Sequence, residues 1–224
     1  MPSVPAAVLF DMDGLLVDTE PVWTVAEQEL AARLGGSWSA ELKAAIVGTR
    51  LQVAVPTILR WYGADAGPAA VARTSDDLLA RMAELLAEAV TLLPGVPELL
   101  AELRAARVPV ALVSSSYRLL VDAVLGHGVG PFAVVVAGDE VVRGKPHPEP
   151  YLTAAARLGV DPARCVVLED APAGVASAEA AGCAVVAVPS VRGVVVLPGP
   201  RRLVVASLHE VDLPALGRLL DRAA

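Results

Sequence analysis

The stretch Ala6-Ala7-Val8-Leu9-Phe10-Asp11-Met12-Asp13-Gly14 decides how the rest of the chain is read. Five consecutive apolar residues without polar alternation suit a strand covered on both faces, as in a parallel sheet. The run ends at two carboxylates separated by one residue. On its own an Asp-x-Asp string is an ordinary solvated acidic turn. At the end of a buried strand it occupies the edge where open parallel sheets bind ligands.

Further runs of the same kind follow at Val108–Val113, Ala133–Ala137, Cys165–Leu168 and Cys183–Val188. Helical patterns occupy Pro97–Arg107, Tyr117–Leu125, Glu149–Leu158 and Ala173–Ala181, and Leu213–Arg222 reads as a closing helix. Strands alternating with helices predict an α/β fold with a parallel sheet between helical layers. One interval breaks the rhythm. From about Glu20 to Leu92 the pattern is helical throughout, at Val22–Leu34, Ala40–Ile46, Val53–Tyr62 and Thr74–Val90. Gly35-Gly36 and the segment Gly63 to Pro68 punctuate it. This predicts a helical domain, residues 18–92, inserted after the first strand of a core made of 1–17 and 93–224. Pro189–Pro200 is the most irregular segment and reads as a surface loop.

Composition excludes some function classes. The apolar fraction of 55% raises the question of a membrane, but a spanning helix needs roughly 18 or more clean apolar residues. The longest charge-free stretch, Ala123 to Gly138, is broken by Gly126, His127, Gly128, Gly130 and Pro131, so it reads as a turn and a strand. Met1 to Ala7 carries no basic region, and no secretory leader is expected. A net charge of −7 argues against a nucleic-acid surface. It also means that an anionic substrate would need local positive charge or a metal. Cys165 and Cys183 lie in apolar runs without a CxxC spacing, so they read as reduced, buried thiols of a cytoplasmic protein. A monomer is the default.

Four segments carry candidate chemistry. Asp11 and Asp13 suit covalent attack on phosphorus followed by acid–base work, because a carboxylate nucleophile splits a difficult displacement into two steps. Ser114-Ser115-Ser116 ends the second strand, where hydroxyls and backbone N–H groups form either a helix cap or an anion site. Lys145 lies in Gly144-Lys145-Pro146-His147-Pro148, on a stiffened loop, as a compact positive charge. It is not a P-loop lysine, since no GxxxxGK[ST] string occurs. His147 suits a structural role in that loop. Glu169 and Asp170 end another buried strand and bring more carboxylates to the edge that holds Asp11. Such a set suits Mg²⁺, a hard cation held by carboxylates, waters and substrate phosphate.

The order Asp-x-Asp, Ser, Lys, Glu-Asp resembles the haloacid-dehalogenase-like hydrolase superfamily, in its members with a helical cap after the first strand. Asp11-Met12-Asp13-Gly14-Leu15-Leu16-Val17-Asp18-Thr19-Glu20 is similar to the first motif of that family nearly in full. Ser114, Lys145 and Glu169-Asp170 match the other three. The resemblance implies a Rossmann-like core, a mobile cap, Asp11 as nucleophile and Asp13 as general acid/base. It implies Mg²⁺ bound by Asp11, the Asp13 backbone carbonyl and Asp170, with Glu169 acting directly or through water. Ser114 and Lys145 would hold the phosphoryl group, with Ser115 beside them.

Glu20-Pro21-Val22-Trp23, Gly48-Thr49-Arg50, Trp61-Tyr62 and Leu93-Pro94-Gly95-Val96 resemble sugar-phosphate phosphatases similar to 2-deoxyglucose-6-phosphate phosphatase. Gly48, Arg50 and Trp61 are therefore candidates for reading a small phosphorylated metabolite. A β-phosphoglucomutase-like mutase is the alternative. Those enzymes typically carry a histidine where this chain has Trp23, which favours hydrolysis. Strict haloacid dehalogenases lack the second aspartate, so Asp13 argues against them. A non-catalytic relative would have lost a motif residue, and none is lost here.

Overall fold

The computed structural model describes residues 3–46, 49, 51–130, 132–190 and 195–222. The chain divides into two compact units, one of Met1–Asp18 with Val90–Ala224 and one of Thr19–Ala89.

Among the described residues the larger unit is built on six parallel strands. They are β1 (Ala7–Phe10), β2 (Val110–Val113), β3 (Val134–Val136), β4 (Cys165–Glu169), β5 (Ala184–Ala187) and β6 (Arg202–Val204), in the spatial order β3-β2-β1-β4-β5-β6. This is the Rossmann-like α/β arrangement. The chain builds outward from β1 to β3, then crosses to the other side of β1 to lay down β4, which creates a switch point between β1 and β4.

The apolar runs follow from burial on both faces. Ala7, Leu9, Ala111, Val113, Cys165, Val167, Val185 and Ala187 share a core with Tyr151, Ala154, Val175 and Ala178. The last four belong to α7 (Glu149–Leu158) and α8 (Pro172–Ala180), numbering helices along the whole chain. The alternate strand residues Val8, Phe10, Leu112, Val166, Leu168 and Val186 are buried as well. Against the sheet or each other pack α5 (Val96–Ala105) and α9 (Leu213–Leu220), with α9 touching β4. Burying one such Val or Leu side chain stabilises the fold by about 1.5–3 kcal/mol. Cys165 and Cys183 are buried and free.

Register sets the working edge. Phe10 pairs with Leu112 on one side and Leu168 on the other. Asp11 is therefore level with Val113 and Glu169, and its N–H extends the ladder to the Leu168 carbonyl at 3.0 Å. The chain leaves β2 through Ser114–Ser116 into α6 (Arg118–Leu125).

The smaller unit holds α1 (Glu20–Arg33), α2 (Ala40–Ile46), α3 (Leu51–Trp61) and α4 (Pro68–Glu88). Helix α4 packs on α1 and α3, and α2 packs on α3. Leu30, Leu42, Ile58, Leu78, Met82 and Leu86 are buried in it. Arg81 of α4 grips Glu29 of α1 through both carboxylate oxygens, at 2.7 and 3.0 Å. Glu27, also buried, accepts from Lys43 at 3.1 Å.

Two elements depart from the sequence pattern. Helix α4 starts at Pro68 rather than Thr74, because a proline at the first helical position is already set for the helix and its missing N–H costs nothing there. Strand β6 occupies a segment where no strand is expected. It pairs with β5 through Val185↔Arg202 and Ala187↔Val204. Among the described residues no helix is long and apolar enough to cross a membrane.

Candidate active site

The site grows from the register just described. Lys145 arrives from the loop before α7, and its ammonium donates to Asp11 Oδ1 at 2.5 Å, Glu169 Oε1 at 2.7 Å and the Val113 carbonyl at 2.9 Å. These acceptors lie at the ends of β1, β4 and β2, so one buried cation ties three strand ends together. Glu169 Oε1 also accepts from the Tyr151 hydroxyl at 2.7 Å. Its Oε2 accepts from the backbone N–H groups of Asp170 and Ala171, at 3.1 and 3.2 Å. Asp170 Oδ2 accepts from Ser190 Oγ at 2.5 Å.

On the other flank, Asp13 Oδ2 accepts from Ser116 Oγ at 2.8 Å and Ser114 Oγ at 3.2 Å. Ser114 Oγ in turn accepts from the Ser116 N–H at 2.9 Å. The helix-cap reading of the serine loop does not hold, because the N-cap position of α6 is Tyr117 and no side chain caps the helix there. The loop instead closes a local turn on itself and presents hydroxyls beside Asp13. Ser115 is exposed next to them.

The electrostatics are crowded. Burial pushes the Asp11 carboxyl well above the usual range; Lys145 pulls it down, while Glu169, Asp170 and Asp13 push it further up. Burial also raises Asp170, to about 6, although the Ser190 hydrogen bond opposes the rise. For Lys145 burial opposes the charge, but Asp11 and Glu169 outweigh it and keep the ammonium protonated. Burial raises the Tyr151 hydroxyl well above its ordinary value, and the Glu169 charge adds to this, so it remains a donor.

Asp11, Glu169 and Asp170 can each aim one carboxylate oxygen so that all three lie within 4.8 Å of one another. Three buried carboxylates around one ammonium leave negative charge that costs several kcal/mol per ion to bury uncompensated. A hard divalent cation with oxygen ligands fits that set, both in charge and in donor type.

Comparisons with known proteins identify the family. The sequence profile of the haloacid dehalogenase-like hydrolases matches residues 5–182. The chain belongs to the haloacid dehalogenase-like hydrolases. This hydrolase is 35% identical over 189 residues to hexitol phosphatase B of Escherichia coli (strain K12), covering 82% of this chain and 83% of that one. It is 34% identical over 191 residues to the bifunctional riboflavin kinase/FMN phosphatase of Arabidopsis thaliana, where it spans about half of the relative's length (49%). Among solved structures, CbbY from Rhodobacter sphaeroides in complex with phosphate superposes with a TM-score of 0.78 at 30% identity, over 92% of this chain and 96% of that one.

Asp11, Asp13, Ser114, Lys145, Glu169 and Asp170 of the hydrolase thus meet at one sheet edge, with Ser115 exposed beside them. Trp61 ends α3 in the helical unit and is 49% exposed. Gly48 and Arg50 lie outside the described residues. His147 is structural: its Nδ1 accepts from the Glu149 N–H and its carbonyl accepts from Ser177 Oγ. Sequence reasoning missed Tyr151, Ser116 and Ser190. Ser116 had a signal, since it belongs to the quoted triple serine. Tyr151 and Ser190 reach their partners across 18 and 20 residues and had none.

Gly174 gives a test of the packing beneath Glu169. A Cβ at this position in α8 would lie 1.7 Å from Glu169 Oε1. Ala for Gly inside a helix ordinarily gains about 1 kcal/mol. Gly174→Ala is instead expected to lower stability by about 1–3 kcal/mol, as overpacked sites do. Thermal unfolding reads this directly, and an unchanged or raised Tm would mean that Glu169 is free to move aside.

Proposed function

We propose that this hydrolase cleaves the phosphate ester of a small phosphorylated metabolite, of the sugar-phosphate class, through an aspartyl-phosphate on Asp11. The observation that carries the reading is the Lys145 ammonium shared between Asp11 and Glu169 at a buried strand edge, with Asp13 in the hands of Ser114 and Ser116. The names of relatives such as hexitol phosphatase B support the substrate class.

Asp11 forms a bond to phosphorus while the bond from phosphorus to the leaving oxygen breaks, and Asp13 gives that oxygen its proton. Asp13 then takes a proton from water, which attacks phosphorus and releases inorganic phosphate and free Asp11. Lys145 and the Ser114 hydroxyl hold the phosphoryl oxygens as charge develops. Lys145 also lets two anions, Asp11 and the ester, approach each other. Asp11, the Asp13 backbone carbonyl and Asp170, with Glu169 directly or through water, would hold Mg²⁺. When bound, Mg²⁺ neutralises charge on the phosphoryl oxygens. The helical unit, residues 18–92 in the division drawn from sequence, is the cap domain of this reading, with Gly48, Arg50 and Trp61 as the candidate substrate-recognition residues.

The test is phosphate release from hexose, deoxyhexose, pentose, glycerol and nucleotide phosphates, with Mg²⁺ and with EDTA. The expected result is turnover of one sugar class, lost by about 10²-fold or more in EDTA and restored by Mg²⁺. Equal rates with and without the chelator would sink the metal assignment. β-Glucose 1-phosphate belongs in the panel. Its conversion to glucose 6-phosphate with little free phosphate would make the enzyme a mutase.

A further inference from the structure

Tyr151 has no part in the chemistry described so far, yet it is wired into it. It is the third residue of α7 and fully buried. A buried tyrosine needs an acceptor for its hydroxyl. Here the acceptor is Glu169 Oε1, at 2.7 Å, the same oxygen that takes the Lys145 ammonium at 2.7 Å. The face of the Tyr151 ring lies 5.0 Å from that ammonium.

Packing alone does not call for a hydroxyl at this place. Tyr151 belongs to a core cluster that is otherwise aliphatic apart from Cys165 and Cys183, with Leu9, Val113, Ala154 and Val167 among its members, and a phenylalanine would fill the volume of the ring. What the hydroxyl adds is a second donor on Glu169 Oε1. With the Asp170 and Ala171 N–H groups on Oε2, four donors fix the plane of this carboxylate. A carboxylate so held cannot swing toward Asp11 or Asp170. Oε1 is thus shared by the Tyr151 hydroxyl and the Lys145 ammonium, and the same ammonium donates to Asp11 Oδ1. The ring adds an electron-rich face behind the cation and denies that side to water.

We propose that Tyr151 is a positioning residue, whose hydroxyl fixes Glu169 and whose ring backs Lys145 so that the ammonium is held against Asp11. The proposal rests on the reading of Asp11 and Lys145 as a catalytic pair. Tyr151→Phe keeps the ring and removes the hydroxyl; Tyr151→Leu removes both.

With the best ester of the substrate panel, or 4-nitrophenyl phosphate, and saturating Mg²⁺, Tyr151→Phe is expected to lower kcat about 10-fold, the effect of one charge-assisted hydrogen bond. KM should change less than about twofold, because the loss falls on the chemical step. Tyr151→Leu should lose about 10-fold more. In a Glu169→Gln background Tyr151→Phe should cost much less than it does alone, since coupled residues are not additive. A purely structural tyrosine would lower Tm and leave kcat and this coupling untouched. A crystal structure of Tyr151→Phe supplies a readout free of turnover: the Glu169 carboxylate should rotate and Lys145 Nζ should shift from Asp11. If the wild-type enzyme hydrolyses none of the esters but these atoms move, the hydrolytic reading fails and the positioning role stands. If the wild type is active and Tyr151→Phe matches its kcat, or if the carboxylate stays in place, the positioning role is overturned.

Discussion

Asp11→Asn is expected to abolish phosphate release, by about 10⁴-fold or more, while leaving the fold intact. The amide is nearly isosteric with the carboxylate, but its lone pairs are delocalised and it does not form the covalent link to phosphorus. Groups that act as one unit lose nearly everything when the nucleophile goes, and what remains comes from binding and charge stabilisation. The structure argues that stability survives. Lys145 keeps Glu169 and the Val113 carbonyl as acceptors in the variant. Burial raises the Asp11 pKa above its ordinary value; Lys145 opposes the rise and the neighbouring acids Glu169, Asp170 and Asp13 add to it, with the net shift upward. A raised carboxyl pKa means that the folded chain binds more protons than the unfolded one. Stability is then lost as pH rises from the ordinary carboxylate range to the raised value. Asparagine removes that cost, so in EDTA near neutral pH the variant should melt at the wild-type temperature or above it. Substantial activity in the purified variant would remove Asp11 from the nucleophile role. A large drop in Tm would instead show that the metal-free site depends on this carboxylate for its structure.

The same crowding explains why so much of the site is legible in the sequence. Asp11, Ser114 and Glu169 each sit one residue past a run that must be apolar, because the parallel sheet is buried on both faces. Phe10 to Asp11, Val113 to Ser114 and Leu168 to Glu169 are abrupt changes from oil to polarity, and they mark the strand ends. Register then brings Asp11 and Glu169 level without further instruction. Strand β6 is invisible for the opposite reason. Arg202-Leu203-Val204 is three residues long, half-buried at the sheet edge, and follows another arginine, so neither length nor alternation marks it. Tyr151 reads as one apolar residue of a helix. Its meaning lies in the distance from its hydroxyl to Glu169, which depends on how α7 docks on the sheet.

Asp13→Asn separates the two halves of the reaction. The side chain is half-buried, and Ser114 and Ser116 both donate to its Oδ2, an arrangement that the asparagine carbonyl can preserve. Only the ability to carry a proton is lost. General acid–base groups contribute about 10²–10⁴-fold, and the loss should depend on the leaving group. An alkyl phosphate, such as a sugar ester, leaves as a strongly basic alkoxide and needs the proton. 4-Nitrophenyl phosphate leaves as a stable phenolate and does not. The variant should therefore retain more of the first step with the aryl ester than with the sugar ester. The second step suffers with either substrate, because the same carboxylate must take a proton from the attacking water. With the aryl ester, then, the first half outruns the second, and protein carrying one phosphoryl group should accumulate. Intact-protein mass spectrometry after rapid quenching reads that species, and Asp11→Asn in the same chain should erase it. Equal losses on both esters with no phosphorylated protein would take the acid–base role away from Asp13 and leave it as a hydrogen-bonded partner of the serine loop.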